Sequence, residues 1–322
     1  MYLTTNLEHS VFATPYRFGF RKIRILTGYA SSAFLYHILE NYEDIEIDLI
    51  IGMSRRDGIP RWDHERYQQI VNENPLIRIF YQISSPPIHT KIYDWYTDSL
   101  IEDSMTFVGS ANFSWGGFRD QHELMVEANH PNIDEVFAIP NCLSCTDPTI
   151  EDYIRFTNIY ISRGGRVRPR TSTVQVVENN DLHRDVSQYP YVDLPLLLNN
   201  DTEIHERSGL NWGQRPGREP NQAYIPVSSR IHRADPNFFP PLRQEFTMLT
   251  DDGHQLMCVV AQDNRKAIET PENNSIMGIY FRERIGVPLG ARVDAQDVVN
   301  YGRTSVRVYK IDDETYFMDF GV

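Results

Sequence analysis

The sequence predicts an α/β domain followed by a mostly-β domain. Three observations predict it. Isoleucine-rich runs at 22–28, 45–53 and 76–83 alternate with helical patterns, as in a parallel βαβ sheet. The stretch 171–221 has no steady period and fills with Asp, Asn and Pro, which marks a boundary. From Gln222 onward, short apolar runs are punctuated by turn signals, the texture of a small β barrel. The expected partition is 1–175, a linker over 176–221, and 222–322.

Taken in order, Lys22-Ile-Arg-Ile-Leu-Thr-Gly28 reads as a buried strand. Ser31 is placed to cap a helix running to about Asn41, with Phe34, Leu35, Ile38 and Leu39 as its apolar stripe. A strand at 45–53, a short helix at 64–72 and a strand at 76–83 follow. Pro86-Pro87 break the chain ahead of a strand holding His89, and further strands are expected at 105–108 and 122–126. Ser114 is placed to start a turn or helix presenting N–H groups to phosphate, and Trp115 to pack, the favoured reading, or to stack on a base. Asp147-Pro148 reads as the start of a helix through Ile150, Tyr153, Ile154, Phe156, Tyr160 and Ile161, stopped by Gly164-Gly165. So broad an apolar surface implies burial or a dimer seam. Short strands are expected in the linker at 173–177 and 194–198. In the second domain they are expected at 223–227, 245–249, 255–261, 277–282, 304–309 and 315–320, with one short helix at 294–300. Asp251-Asp252-Gly253 and Asp312-Asp313-Glu314 supply hairpin turns.

The stretch from His89 to Glu123 carries the chemistry. A strand of period two sets His89 and Lys91 on one face. An imidazole can attack phosphorus or return a proton near neutral pH. A lysine beside it can pair with a phosphate oxygen. Gly109-Ser110-Ala111-Asn112 ends the next strand, where small residues let a phosphate approach the backbone. Ser110 and Asn112 can donate to phosphate oxygens whose charge grows in the transition state. Glu123 can accept the proton on the far nitrogen of His89 and fix its tautomer. Each piece alone also has a structural reading, as a strand edge or a turn; their order is the specific signal.

His-Thr-Lys followed by Gly-Ser-Ala-Asn-Phe-Ser resembles the HKD motif of the phospholipase D superfamily, although the place of its usual aspartate, position 96, holds Tyr96. With Glu123 eleven residues after Asn112, the pattern resembles the metal-independent restriction endonucleases of the NgoFVII/BfiI type. The resemblance implies a phospholipase D-like nuclease domain, with His89 as nucleophile or acid. Lys91, Ser110 and Asn112 would hold phosphate, and Glu123 would orient the histidine. Only one copy of the motif is present. Single-copy members build one active site from two chains, so a homodimer is implied. In it one His89 attacks and the other protonates the leaving oxygen, with no metal.

At 322 residues the chain is long enough for two domains. No run of eighteen apolar residues exists, so no transmembrane helix and no membrane partner are expected. The first residues, Met-Tyr-Leu-Thr-Thr-Asn, lack a basic start and an apolar core, so no signal peptide is expected. Three cysteines argue against a disulfide framework and fit the cytoplasm. Cys142 and Cys145 form a CxxC without two further ligands at a standard spacing, so no metal site is expected. The net charge of −13 is awkward for a nucleic-acid enzyme. Arg163, Arg166, Arg168 and Arg170 form one local basic cluster, and Arg282, Arg284, Arg292, Arg303, Arg307 and Lys310 a second. Local basic faces on an acidic body would bind non-cognate DNA weakly.

The C-terminal segment from Asn274 to Arg284, with 298–303 and the closing strand pair, is similar to plant B-three DNA-binding domains. That likeness implies a pseudobarrel laying two arms into the major groove of double-stranded DNA. Arg230, His232 and Arg233 are the candidates for one arm; Gln262, Asn264, Arg265 and Lys266 are those for the other. The resemblance also implies a cognate DNA methyltransferase in the same restriction-modification system. It further suggests ATP dependence through a separate ATPase or helicase-like subunit, since the chain has no GxxxxGK[ST] loop. Two rivals stand beside this reading: a phospholipase D-type lipid phosphodiesterase, and a DNA-binding module needing an ATPase partner for cleavage.

Overall fold

The computed structural model describes residues 2–98, 104–129, 132–138, 141–162, 181–198 and 202–322. Two compact units emerge, one running to Ile159 and regaining the chain up to Arg184, the other running from Asp185 to Val322.

The strands of the first unit are β1 (Tyr2–Leu3), β2 (Lys22–Thr27), β3 (Glu46–Ile51), β4 (Ile59–Pro60), β5 (Ile77–Gln82), β6 (Lys91–Tyr96), β7 (Ser104–Gly109), β8 (Met125–Ala128), β9 (Cys142–Ser144), β10 (Phe156–Tyr160) and β11 (Leu182–Asp185). One sheet has the order β1-β8-β7-β6-β2-β3-β5-β9, and a smaller one the order β11-β10-β4. β2, β3 and β5 are parallel, which the crossover helices Ser32–Asn41 and Arg61–Glu73 make possible. The first of these helices is capped as its sequence predicts, Phe34 N–H donating to Ser31 Oγ at 3.2 Å. β6 then pairs antiparallel with β2, β7 with β6, and β8 with β7. The C-terminal ends of β2, β3 and β7 therefore meet the starts of β6 and β8 at one edge of the sheet, the usual place for a site in an α/β sheet. Ile23, Ile25, Ile47, Leu49, Ile77 and Ile79 are buried to 1% exposure or less. Phe12, Phe34, Phe113 and Trp115 pack as a ring cluster on the helix Ser32–Asn41. Trp115 is accordingly a core residue.

Three local expectations change. His89 precedes the strand, which starts at Lys91, and Glu123 likewise precedes β8. The apolar surface after Asp147 is not a helix. Asp147 caps a turn, accepting from Thr149 N–H at 2.8 Å; one short 3-10 turn follows at Ile150–Asp152, and Phe156–Tyr160 is β10. Phe156 and Thr157 pair in parallel with Ile59 and Pro60, so a strand neighbour decides where local pattern does not. Gly164-Gly165, the 173–177 strand and the cluster Arg163, Arg166, Arg168 and Arg170 lie outside the described residues.

The second unit holds β12 (Tyr191–Pro195), β13 (Ile225–Pro226), β14 (Glu245–Thr250), β15 (Gln255–Ala261), β16 (Ala267–Glu269), β17 (Ser305–Lys310) and β18 (Thr315–Asp319). They form one curved sheet, β12-β17-β18-β14-β15-β16-β13, near to closing on itself. β14 and β18 are parallel, and the other pairs are antiparallel. The hairpin turn at Asp251-Asp252-Gly253 forms as read, with Gly253 at φ 88°. Phe246, Met248, Cys258, Val260, Val306, Val308 and Met318 fill the interior. The segment read as a linker supplies β11 and β12, and its 3-10 stretch Gly209–Gln214 buries Leu210 and Trp212.

Residues 277–282 are helical, not a strand: the helix spans Asn274–Ile285 and ends at Gly286 with φ 83°. Met277, Tyr280 and Phe281 recur at helical spacing and all face the core. The late basic cluster is not a free face. Arg282 is fully buried and donates to the carbonyls of Ala291, Gly278, Leu210, Pro220 and Asn221. Arg284 pairs with Asp251 and Asp252, Arg303 with Asp319, Arg307 with Asp193, Lys310 with Asp313, and Arg292 with Glu206 and Asp294. No described helix is long and apolar enough to cross a membrane.

Candidate active site

Pro86 and Pro87 prevent β6 from extending back over its approach, so the chain reaches His89 as irregular backbone. Gln82 steadies that approach: its Oε1 accepts from Ile88 N–H at 2.9 Å and its Nε2 donates to the Pro86 carbonyl at 2.9 Å. Gly52, at the end of β3, lies so close to Ile88 that a Cβ there would stand 2.3 Å from its carbonyl oxygen. His89 is thus exposed at the sheet edge above Lys91, which is only 4% exposed.

The Lys91 ammonium lies 3.0 Å from His89 Nε2 and donates to the His89 carbonyl at 2.7 Å. An ammonium only donates, so Nε2 is the acceptor, with its lone pair turned to Lys91. Burial pulls Lys91 below the usual lysine range, and the Glu123 charge opposes that pull.

Asn112 faces the same edge from the end of β7. Its Oδ1 accepts from Tyr29 N–H at 3.1 Å and lies 3.4 Å from Thr27 Oγ1. With the oxygen so engaged, the amide Nδ2 is the donor left for a substrate oxygen. Thr27 Oγ1 also accepts from Phe113 N–H at 3.1 Å. Gly117 packs against Asn112, where a Cβ would stand 2.1 Å from its carbonyl oxygen. Ser110 N–H donates to the Leu124 carbonyl at 2.9 Å, and Ser110 Oγ accepts from Leu124 N–H at 3.0 Å.

Glu123 accepts from Ser110 Oγ–H. Its carboxylate is therefore directed at the serine and, through space, at Lys91, rather than at His89 as the sequence reading has it. The reason is register. Ser110 and Leu124 face one another across the end of the β7–β8 ladder, which brings the residue before Leu124 to the serine hydroxyl.

Three residues absent from the sequence reading complete the site. Gly28 lies under the imidazole, where a Cβ would stand 2.9 Å from His89 Cδ2 and 3.3 Å from Asn112 Oδ1. Thr27 holds Asn112 and Phe113 as described. The Tyr29 ring meets the His89 ring edge to face at 5.9 Å, and its hydroxyl donates to Asp57 Oδ2 at 2.5 Å. The only signal for them was that the Thr27-Gly28 pair ends a buried strand. Among the described residues no cluster of His, Cys, Asp and Glu could hold a metal ion, and Cys142 and Cys145 are free thiols.

Residues 5–151 match the family model of the NgoFVII restriction endonuclease N-terminal PLD domain, and residues 185–312 match that of the NgoFVII C-terminal B3-like DNA-binding domain. The chain belongs to the NgoFVII restriction endonuclease family. No curated protein matches it. Among solved structures, polyphosphate kinase from Porphyromonas gingivalis aligns over 44% of this chain and 23% of its own, at 13% identity and a TM-score of 0.31, a likeness too slight to bear on the fold.

In this NgoFVII-family chain the B3-like match starts at Asp185, where the second unit starts. Its two groups of candidate reading residues come together at one end of the barrel. His232 Nε2 lies 2.7 Å from the Arg265 carbonyl, joining the short helix Ser229–Ala234 to the turn Asp263–Arg265. Their side chains divide into two sets. The Arg265 guanidinium donates to the carbonyls of Pro236, Phe239 and Pro240, and Gln262 donates to Glu269. With His232, these brace the loops. Arg230, Arg233, Asn264 and Lys266 are exposed and are the ones able to reach a base or a phosphate.

Proposed function

We propose that this chain is a site-specific DNA endonuclease that cleaves phosphodiesters without metal, through a phosphohistidine on His89. The observation that carries the reading is the Lys91 ammonium 3.0 Å from His89 Nε2, with the free amide of Asn112 at the same sheet edge. A phosphate seated on Lys91 and Asn112, with the Ser110 proton turned from Glu123 to a phosphate oxygen, would present phosphorus to the Nε2 lone pair as Lys91 leaves it for the phosphate. The N–P bond forms as the P–O3′ bond breaks. His89 of the partner subunit gives its proton to the leaving 3′ oxygen. Water then attacks phosphorus and gives its proton back to the partner's His89, the N–P bond breaks, and a 5′-phosphate is released. In a two-fold homodimer, two lysines and two asparagines would offset the charge that a metal offsets elsewhere.

Glu123 would fix the Ser110 hydroxyl beside the phosphate seat by accepting its proton until substrate arrives, and would support the charge of Lys91. The B3-like unit would read the sequence and so set where the cut falls. The presence of that unit favours DNA over a lipid as substrate. A separate ATPase or helicase-like subunit and a cognate methyltransferase would complete a cytoplasmic restriction-modification system.

The test is plasmid cleavage by the purified chain in excess EDTA, wild type against His89→Ala, with fragment ends sequenced. Discrete cuts by the wild type that vanish in the variant are expected. Cutting that requires added magnesium, or that survives the substitution, would overturn the mechanism.

A further inference from the structure

The charges of the first unit are not spent evenly. Lys22, Arg24, Arg61, Arg78 and Arg119 meet carboxylates. Arg17, Arg21 and Arg66 donate to neutral groups instead, and beside the candidate site three more arginines gather. The short helix Ser54–Asp57 follows the end of β3 and carries Arg55 and Arg56, both exposed. Arg55 donates to the carbonyl of Ile83, on the approach to His89. Arg155 donates to the Arg56 carbonyl at 2.9 Å, and its own carbonyl lies 2.7 Å from where a Cβ on Gly58 would stand. Among the described residues the Arg56 guanidinium meets its neighbour Asp57, at 3.6 Å. That Asp57 in turn accepts from the Tyr29 hydroxyl, and the Tyr29 ring lies against His89. Three arginines thus form a shoulder that starts one residue from the contacts of the candidate nucleophile.

A guanidinium bonded to one carbonyl keeps its full charge and most of its five N–H donors. Three such groups together fit a run of phosphates. A polynucleotide supplies one, because neighbouring phosphates follow at about 3.4 Å of rise along each strand. A phospholipid offers a single phosphodiester and nothing for the shoulder to hold.

We propose that Arg55, Arg56 and Arg155 bind the duplex backbone phosphates flanking the scissile one, as a sequence-independent contact surface of the nuclease unit. This rests on the endonuclease reading above.

The test uses the full chain. Duplex binding is followed by fluorescence anisotropy over a series of KCl concentrations, and cleavage kinetics are measured alongside. Replacing all three arginines by glutamine should flatten the plot of log affinity against log salt by about 2 to 3 units of slope. It should raise KM about tenfold while kcat at saturation stays within about threefold. Arg56→Lys keeps the charge and should keep the slope. If the triple variant does not fold, Arg56→Gln alone is read, with about one unit of slope expected. Among the described residues the Arg56 guanidinium braces no backbone group. An unchanged slope would overturn the shoulder while wild-type cutting leaves the endonuclease reading intact. A wild-type chain that neither binds nor cuts DNA would remove both.

Discussion

At the scale of single residues, the site depends on what is missing as much as on what is present. Gly28 has no side chain because His89 Cδ2 and Asn112 Oδ1 occupy the space a Cβ would take. Gly28→Ala should therefore tilt the imidazole and shift the amide without touching the core. The expected result is a loss of about a hundredfold in kcat, since small misplacements of reacting groups cost that much, with thermal stability little changed. Wild-type cleavage by Gly28→Ala would show that the imidazole is not confined by this contact. His89, Lys91, Ser110 and Asn112 were legible in the sequence because their chemistry lies close together in one stretch, at the ends of two neighbouring strands. Gly28, Thr27 and Tyr29 were not, because their partner Asn112 lies 83 to 85 residues away. Only folding brings such residues together. Glu123 shows the complementary limit: its presence was legible, but its partner was fixed by the register of β7 against β8.

At the scale of elements, legibility followed the neighbours each element needs. The strands around the site carry enough isoleucine and valine to declare themselves. The segments 147–161 and 277–282 were misread in opposite directions for one reason: both are apolar on more than one side. β10 is extended because β4 pairs with it, whereas Asn274–Ile285 is a helix in which Gly278 presses on the backbone of Asn221. A Cβ at Gly278 would stand 1.6 Å from the Asn221 carbonyl oxygen, which also accepts from buried Arg282. Gly278→Ala should thus part this helix from the 209–221 segment and destabilise the second unit by about 3 kcal/mol. Labelling of Cys258, fully buried beneath, checks this by mass spectrometry in rising urea. The midpoint of labelling should move to lower urea, and an unmoved midpoint would mean that the loop yields at no cost.

At the scale of the whole molecule, the acidic total of −13 coexists with local arginine groups, so long-range attraction to DNA is weak and contact must be specific. The chain carries one His-x-Lys motif, yet phosphohistidine chemistry needs a base that attacks and an acid that protonates. In the two-fold pair proposed above, both would come from the same residue. Such a pair would make activity a joint property of two chains and predicts a non-linear mixing curve. If wild type and His89→Ala are combined and allowed to exchange subunits, only pairs with two intact histidines should turn over. At equal proportions the rate should be about a quarter of that of the same total of wild type, against about half if each chain works alone. The variant keeps Lys91 and Asn112, so its partner would still bind phosphate and attack, but the leaving oxygen would lack its proton donor. A linear curve would place acid and nucleophile within one chain, and the acid would then have to be sought among groups other than His89.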